Sequence, residues 1–248
     1  MSVKRAFHYA WGLFMGTSVP YLRPSHRPLL PVVGEQVDEG LALVLGGTAN
    51  YGIVFDHEQS LIIGALPATA VGNLQSYLQI LSAGPVRDFI CLSEEPADRS
   101  GTAAFKSVNN IYVSGIESTR VAAAGGETVS IAKSKISGRV IAFLEKRRTL
   151  FLGGLFFHRL HPPLHSGVDT LAWRAELERL LKIYNPEMII PGEGAPATVD
   201  GVRDFISYLA DLSDPNVDFA RCRSLYDWAE IPGYTSLEEN FELLRGSI

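Results

Sequence analysis

Residues Val86 to Leu92 form a largely apolar run that stops abruptly in Ser93-Glu94-Glu95-Pro96-Ala97-Asp98-Arg99. A run this short, bounded by turn residues, reads as a buried strand. Ser100-Gly101 then opens the next element. A strand that ends in clustered ionisable residues is a usual place for a site, so this stretch constrains fold and function together. With 46% hydrophobic and 20% charged residues over 248 positions, the chain has material for a large core. Its length suits one large α/β domain or two small ones.

The pattern on either side is mixed. Leu41–Leu45, Asn50–Phe55 and Leu61–Gly64 read as strands of a meander, with Asp56-His57-Glu58-Gln59 as a polar turn. Val71–Ser82 reads as a helix, because Leu74, Tyr77, Leu78 and Leu81 share one face and Gly84-Pro85 stops it. Ile111–Val113, Val129–Ala132, Arg139–Leu144 and Thr149–Leu152 follow as strands. Glu145–Arg148 reads as a solvated hairpin turn. Ala172–Tyr184 is an amphipathic helix, Met188–Ile190 a strand closed by Pro191-Gly192, and Val202–Leu212 a helix before a polar helical tail to Arg245. Strands, helix, strands, helix, strand, helix give an α/β or α+β sandwich.

The frame around residues 93–101 resembles the metal-binding motif of the metallo-β-lactamase superfamily, Thr/Ser-His-x-His-x-Asp-His-x-Gly after a strand. Glu94 stands at the first His position, Pro96 at the second and Arg99 at the last; Asp98 keeps the Asp. By the same resemblance, Gly64 replaces the Asp that follows the meander. Lys135 replaces the His of a Pro-Gly-His segment, matched to Lys133–Arg139. Gly154 replaces the bridging Asp of a Gly-Asp pair, and Glu193 in Pro191-Gly192-Glu193-Gly194 replaces the last His. The resemblance covers about residues 33 to 200 and implies a four-layer αββα sandwich. Residues 1–32, rich in aromatics and proline, are an N-terminal extension, and residues 201–248 are a helical part of the same domain. Gly153-Leu155-Phe156-Phe157 with the later Trp173 is similar to the branch found beside quinoprotein dehydrogenases and sulfur-oxidation proteins.

Zinc takes imidazole, thiolate and carboxylate ligands, and the two cations among these replacements, Arg99 and Lys135, would oppose it. The resemblance therefore implies a fold without its metals and with no other cofactor. If the fold is kept, Glu94, Asp98 and Glu193 converge with Arg99 and Lys135 as a salt-bridge network in place of the metal centre. The loop His158-Arg159-Leu160-His161-Pro162-Pro163-Leu164-His165 lies at the rim, which makes His158 and His161 ligand-binding candidates beside Arg99 and Lys135. Three readings follow. The first is a pseudoenzyme that binds a small molecule or a protein partner in the former cleft. The second is an enzyme with metal-independent hydrolase, lyase or isomerase chemistry on Glu94, Asp98, Arg99, Lys135 and Glu193. The third is an unorthodox metal held by Glu94, Asp98, Glu193 and the loop histidines, which Arg99 and Lys135 argue against.

Other signals are weaker. Ser93 has no neighbouring His to activate it as a nucleophile. Glu94 and Glu95 are adjacent at a strand end and point apart, which separates them as an acid–base pair. No Gly-rich loop opens a helix, so there is no nucleotide fingerprint. A net charge of −5 and a pI near 5.7 disfavour nucleic acid. Cys91 and Cys222 give no disulfide framework. No segment has the apolar length to span a membrane. Lys4-Arg5 before the charge-free stretch Ala6–Leu22 loosely imitates a signal peptide; the expectation is a cytoplasmic protein, with export as the alternative. An apolar patch on residues 1–32 would serve a partner or a homodimer.

Overall fold

The computed structural model describes residues 30–47, 49–113, 118–136, 139–164, 167–228 and 235–246. The signal-like stretch, most of the N-terminal extension and His165 lie outside them.

Eleven described strands form two sheets. The first sheet has six strands in chain order: β1 (Leu30–Asp38), β2 (Leu41–Gly47), β3 (Tyr51–Phe55), β4 (Ser60–Gly64), β5 (Val86–Ile90) and β6 (Asn110–Tyr112). β1 to β4 are the antiparallel meander, and β5 and β6 join it in parallel. The second sheet has five, ordered β11-β10-β9-β8-β7. They are β7 (Ser118–Ala122), β8 (Thr128–Lys133), β9 (Val140–Leu144), β10 (Thr149–Phe157) and β11 (Met188–Glu193). β7 to β10 are antiparallel, and β11 pairs β10 in parallel. Helices α1 (Val71–Ile80), α2 (Thr170–Tyr184), α3 (Val199–Ser213), α4 (Phe219–Leu225) and α5 (Leu237–Arg245) lie outside the sheets.

Period-2 alternation explains the layers. Leu41, Leu43, Val54, Leu61 and Ile63 point between the sheets, where they meet Val129, Ile131, Ala142, Leu144, Phe151 and Ile190. Their sequence neighbours Ala42, Val44, Ile53, Phe55 and Ile62 point outward against Leu74 of α1. On the far side, Leu150, Leu152, Phe156 and Ile189 pack against Leu177, Leu180, Val202, Phe205 and Leu209 of α2 and α3. Both faces of each sheet are covered, so the central strands read as continuous apolar runs. Gly52 makes the sheet contact close: a Cβ there would lie 2.5 Å from the Phe151 ring of the opposite sheet. The result is the αββα sandwich that the sequence predicts.

Local signals set the helix ends. The Asp169 side chain caps α2 by accepting from the Ala172 amide, and Asn185, left-handed at φ 42°, closes it before Pro186. Four expectations are corrected. α1 stops at Ile80, two residues before the expected end. The helical turn after the motif begins at Pro96, not Ser100, because proline suits the first turn of a helix. The polar tail is two separate helices, α4 and α5, the second opened by a capping box of Ser236 and Glu239. Arg147 is not solvated: it forks to Asp38 and Glu127 across the sheets.

Candidate functional site

The strand ends converge as the topology requires. β5 continues through Cys91 and Leu92 to Ser93, which bridges Arg139 at the entrance to β9. The Val140 amide donates to the Leu92 carbonyl, and the Ser134 amide to the Arg139 carbonyl. The two sheets are thus tied at one edge. Beyond Ser93 the chain enters a 3-10 turn, Pro96–Ala104. Its backbone is fixed by the Leu66 amide on the Asp98 carbonyl and the Gly101 amide on the Leu66 carbonyl. Asp98 and Arg99 are half-buried there, while Glu94 and Glu95 are exposed. Cys91, buried beneath them, has its thiol pushed up to about 11 by burial; the Arg99 and Asp98 charges act on it in opposite directions.

Lys135 sits on the loop between β8 and β9 and is exposed. Its backbone is held by a residue of α2. The Glu176 carboxylate accepts from the Lys135 amide at 2.9 Å, the Ser134 hydroxyl at 2.9 Å and the Arg179 guanidinium at 2.7 and 2.8 Å. Nothing in the amphipathic pattern of α2 marks Glu176 as different from the exposed Glu178. Its role comes from the loop that lands on it.

β10 passes under this loop at Gly153-Gly154. The Arg139 guanidinium lies against Gly154, with Nη1, Cζ and Nη2 at 3.0, 3.1 and 3.4 Å from where a Cβ would stand. Among the described residues, that guanidinium makes no ion pair and no hydrogen bond. At the end of β11, Glu193 is buried and its carbonyl accepts from the His158 amide. Asn50, also buried, staples the β2–β3 turn to this strand end. Its side-chain amide donates to the Pro191 and Gly194 carbonyls at 3.1 and 2.7 Å, and its backbone amide to the Gly192 carbonyl at 2.8 Å.

The fold, two face-to-face sheets with helices outside, is shared with solved structures. A metallo-β-lactamase from Pontibacter korlensis superposes with a TM-score of 0.59 at 14% identity, covering 73% of this chain and 99% of that one. The metallo-β-lactamase FIM-1 from Pseudomonas aeruginosa, in its mono-zinc form, gives 0.57 at 13%, covering 75% and 98%. A peroxy diiron form of the chemotaxis sensor ODP gives 0.56 at 13%, covering 73% and 94%. The chain has the metallo-β-lactamase fold. No family model and no curated protein matches its sequence.

At Gly154, where the resemblance puts a bridging carboxylate, a guanidinium fills the space instead. Among the described residues, no group of three or more His, Cys, Asp or Glu side chains stands close enough to hold an ion. Glu94, Asp98 and Arg99 follow β5, Lys135 lies between β8 and β9, and Glu193 ends β11. None of the described ion pairs joins Glu94, Asp98, Arg99 or Lys135 to another of them. The direct network expected from the sequence is not formed by these four.

The loop histidines go elsewhere. His161 is 3% exposed, stacked on Trp228 with Nδ1 at 3.1 Å from the Tyr208 hydroxyl. It belongs to the packing of α3 and the C-terminal helices. His158 places Nδ1 2.8 Å from the Ala195 carbonyl and its Nε2 close to Gly201 of α3; burial lowers its pKa. Both rings brace the shell around β10 and β11. A separate groove of about 670 Å³ lies between α2 and α3, lined by Glu178, Leu181, Lys182, Asn185, Arg203 and Ile206 among others. It opens on the helical layer, away from the strand ends. No helix among the described residues is long and apolar enough to cross a membrane.

Sequence reasoning missed Arg139, Glu176 and Asn50. Arg139 ends the Lys133–Arg139 match, and Gly154 stands where the resemblance puts a carboxylate. A lost acid facing a gained cation was the available signal.

Proposed function

We propose that this protein is a metal-free member of its fold that binds a small molecule or a protein partner in the former metal cleft and does not run zinc-dependent hydrolysis. The observation that carries the reading is the Arg139 guanidinium lying on Gly154. A fixed positive charge at that point opposes a divalent cation through direct repulsion, and neighbouring positions supply Pro96, Arg99 and Lys135 instead of imidazoles. Rigid support favours binding: the cleft rim is held by the Ser93–Arg139 bridge, the Glu176 clamp and the Asn50 staple. The metal-independent enzyme reading needs an acid and a base in hydrogen-bond contact. The described hydrogen bonds do not link the side chains of Glu94, Asp98, Arg99 and Lys135, which leaves binding ahead.

Elemental analysis for zinc, iron and manganese, on protein purified without chelator or affinity tag, tests this. The expected content is below about a tenth of an equivalent per chain, far under the occupancy of a tight structural or catalytic site. Thermal unfolding should be the same with and without EDTA. One or two equivalents of metal, or a chelator-dependent midpoint, would overturn the reading.

A further inference from the structure

Resting on the metal-free reading, we propose that the cleft takes a small oxyanion, a carboxylate or phosphoryl group, on the guanidinium of Arg139. A half-buried cation carries a desolvation cost that is normally offset by a counter-charge. Arg139 is half-buried, yet among the described residues no carboxylate lies within ion-pair distance of it and no acceptor meets its side-chain nitrogens. Its fork is oriented beforehand. The backbone of Arg139 is fixed by the bridge to Ser93 and by the Ser134 amide at 3.0 Å, and the flat guanidinium rests on a glycine floor. A planar donor fork held this way suits the paired oxygens of a carboxylate or phosphate.

The surroundings carry both signs, so the case for an oxyanion rests on the Arg139 fork itself. Arg99, half-buried in the 3-10 turn, and Lys135, on the clamped loop, lie on the same rim, and neither is in a described ion pair. The acids at this rim are Glu94, Glu95 and Asp98, with Glu193 buried at the end of β11. The first three form no described ion pair with Arg139, Arg99 or Lys135. What is left for a ligand to meet is the Arg139 fork, which no described carboxylate pairs. Both the planar and the tetrahedral oxyanion fit the chemistry, and the test separates them.

The experiment is calorimetric titration of the full chain, treated with EDTA, with inorganic phosphate and separately with succinate at constant ionic strength. Saturable binding of at least one, with a dissociation constant below about 1 mM, is expected. Two variants localise it. Arg139→Gln should weaken binding by about tenfold or more. A Cβ at 154 would stand 3.0 Å from the Arg139 Nη1, so Gly154→Asp both shifts the guanidinium and pairs it with a carboxylate; binding should fall as much, with folding checked by circular dichroism. This second variant keeps the test decisive should Arg139→Gln fail to fold. Binding unchanged in Gly154→Asp, or no saturation by either anion up to about 10 mM, overturns the inference and leaves the metal-free reading standing. Binding that appears only with added zinc and vanishes with EDTA overturns the metal-free reading itself.

Discussion

Burial would push the Glu176 carboxyl up, but the Arg179 guanidinium, the Lys135 amide and the Ser134 hydroxyl outweigh it and hold the group below the usual carboxylate range. Its side chain is 1% exposed, so the charge has little solvent to fall back on. A carboxyl depressed by folding contributes stability that is whole above the unfolded pKa, about 4.3, and is lost as pH falls through the folded value. Glu176→Gln should therefore cost about 1–3 kcal/mol at pH 7, read as a lowered urea midpoint. The gap between wild type and variant should close below about pH 4. A gap of the same size at pH 3.5 would show that the charge is not its source. The same variant should loosen the Lys135 loop at the cleft rim.

Docking of the C-terminal helices is an element-scale matter, and it runs through one polar cluster. Asn240 of α5 donates to the Pro162 carbonyl at 2.8 Å and to the Tyr208 hydroxyl of α3 at 3.1 Å; His161 meets the same hydroxyl. Tyr226 and Trp228 pack edge-on and tilted against Tyr208, with ring centroids at 5.1 and 4.6 Å. Burial pushes the His161 ring down to about 4, against a hydrogen bond to the Trp228 backbone. The folded value lies below the unfolded one, about 6.5, so this contribution is whole above pH 6.5 and is lost as pH falls toward 4. The loss over that window is about 3 kcal/mol. His161→Phe should flatten this part of the stability–pH curve measured by urea unfolding between pH 7 and 4.5. Parallel curves for the two proteins would assign the dependence to another group.

At the scale of the whole molecule, the sheets are tied at the pole away from the cleft by Arg147. From the β9–β10 turn it forks to the Asp38 carboxylate and the Glu39 carbonyl of the first sheet, and to the fully buried Glu127 between β7 and β8 of the second. The Asp56 carboxylate adds a bond from the Gly125 amide at the same pole. Arg147→Ala leaves the Glu127 charge in the interior with only its two backbone donors, the Thr128 and Lys146 amides. The expected loss is about 3–5 kcal/mol in equilibrium denaturation. Arg147→Lys should recover little, because an ammonium cannot span the fork. Full recovery by Lys would reduce the tie to simple charge.

Much of the fold was legible in the chain. Short continuous apolar runs mark the central strands, and the i, i+3, i+4 face marks α1 and α2. β1 and β7 were missed for opposite reasons. Pro31 and Gly34 interrupt the first, and the second is an edge strand whose residues alternate between exposed and half-buried, so neither carries a strong apolar signal. β10 runs five residues past the expected Leu152, through Gly153-Gly154 to Phe157, because pairing with β11 sustains it. By itself the sequence determined the order of the central strands and helices and which side chains follow the strand after α1, carboxylates and an arginine with no imidazole, since residue type decides which ligands are on offer. Only the tertiary structure decided which charge faces which. Arg139 and Gly154, Glu176 and Lys135, and Asn50 and Gly194 come from different elements. Their contacts follow from how two twisted sheets meet at one edge, which no local pattern encodes.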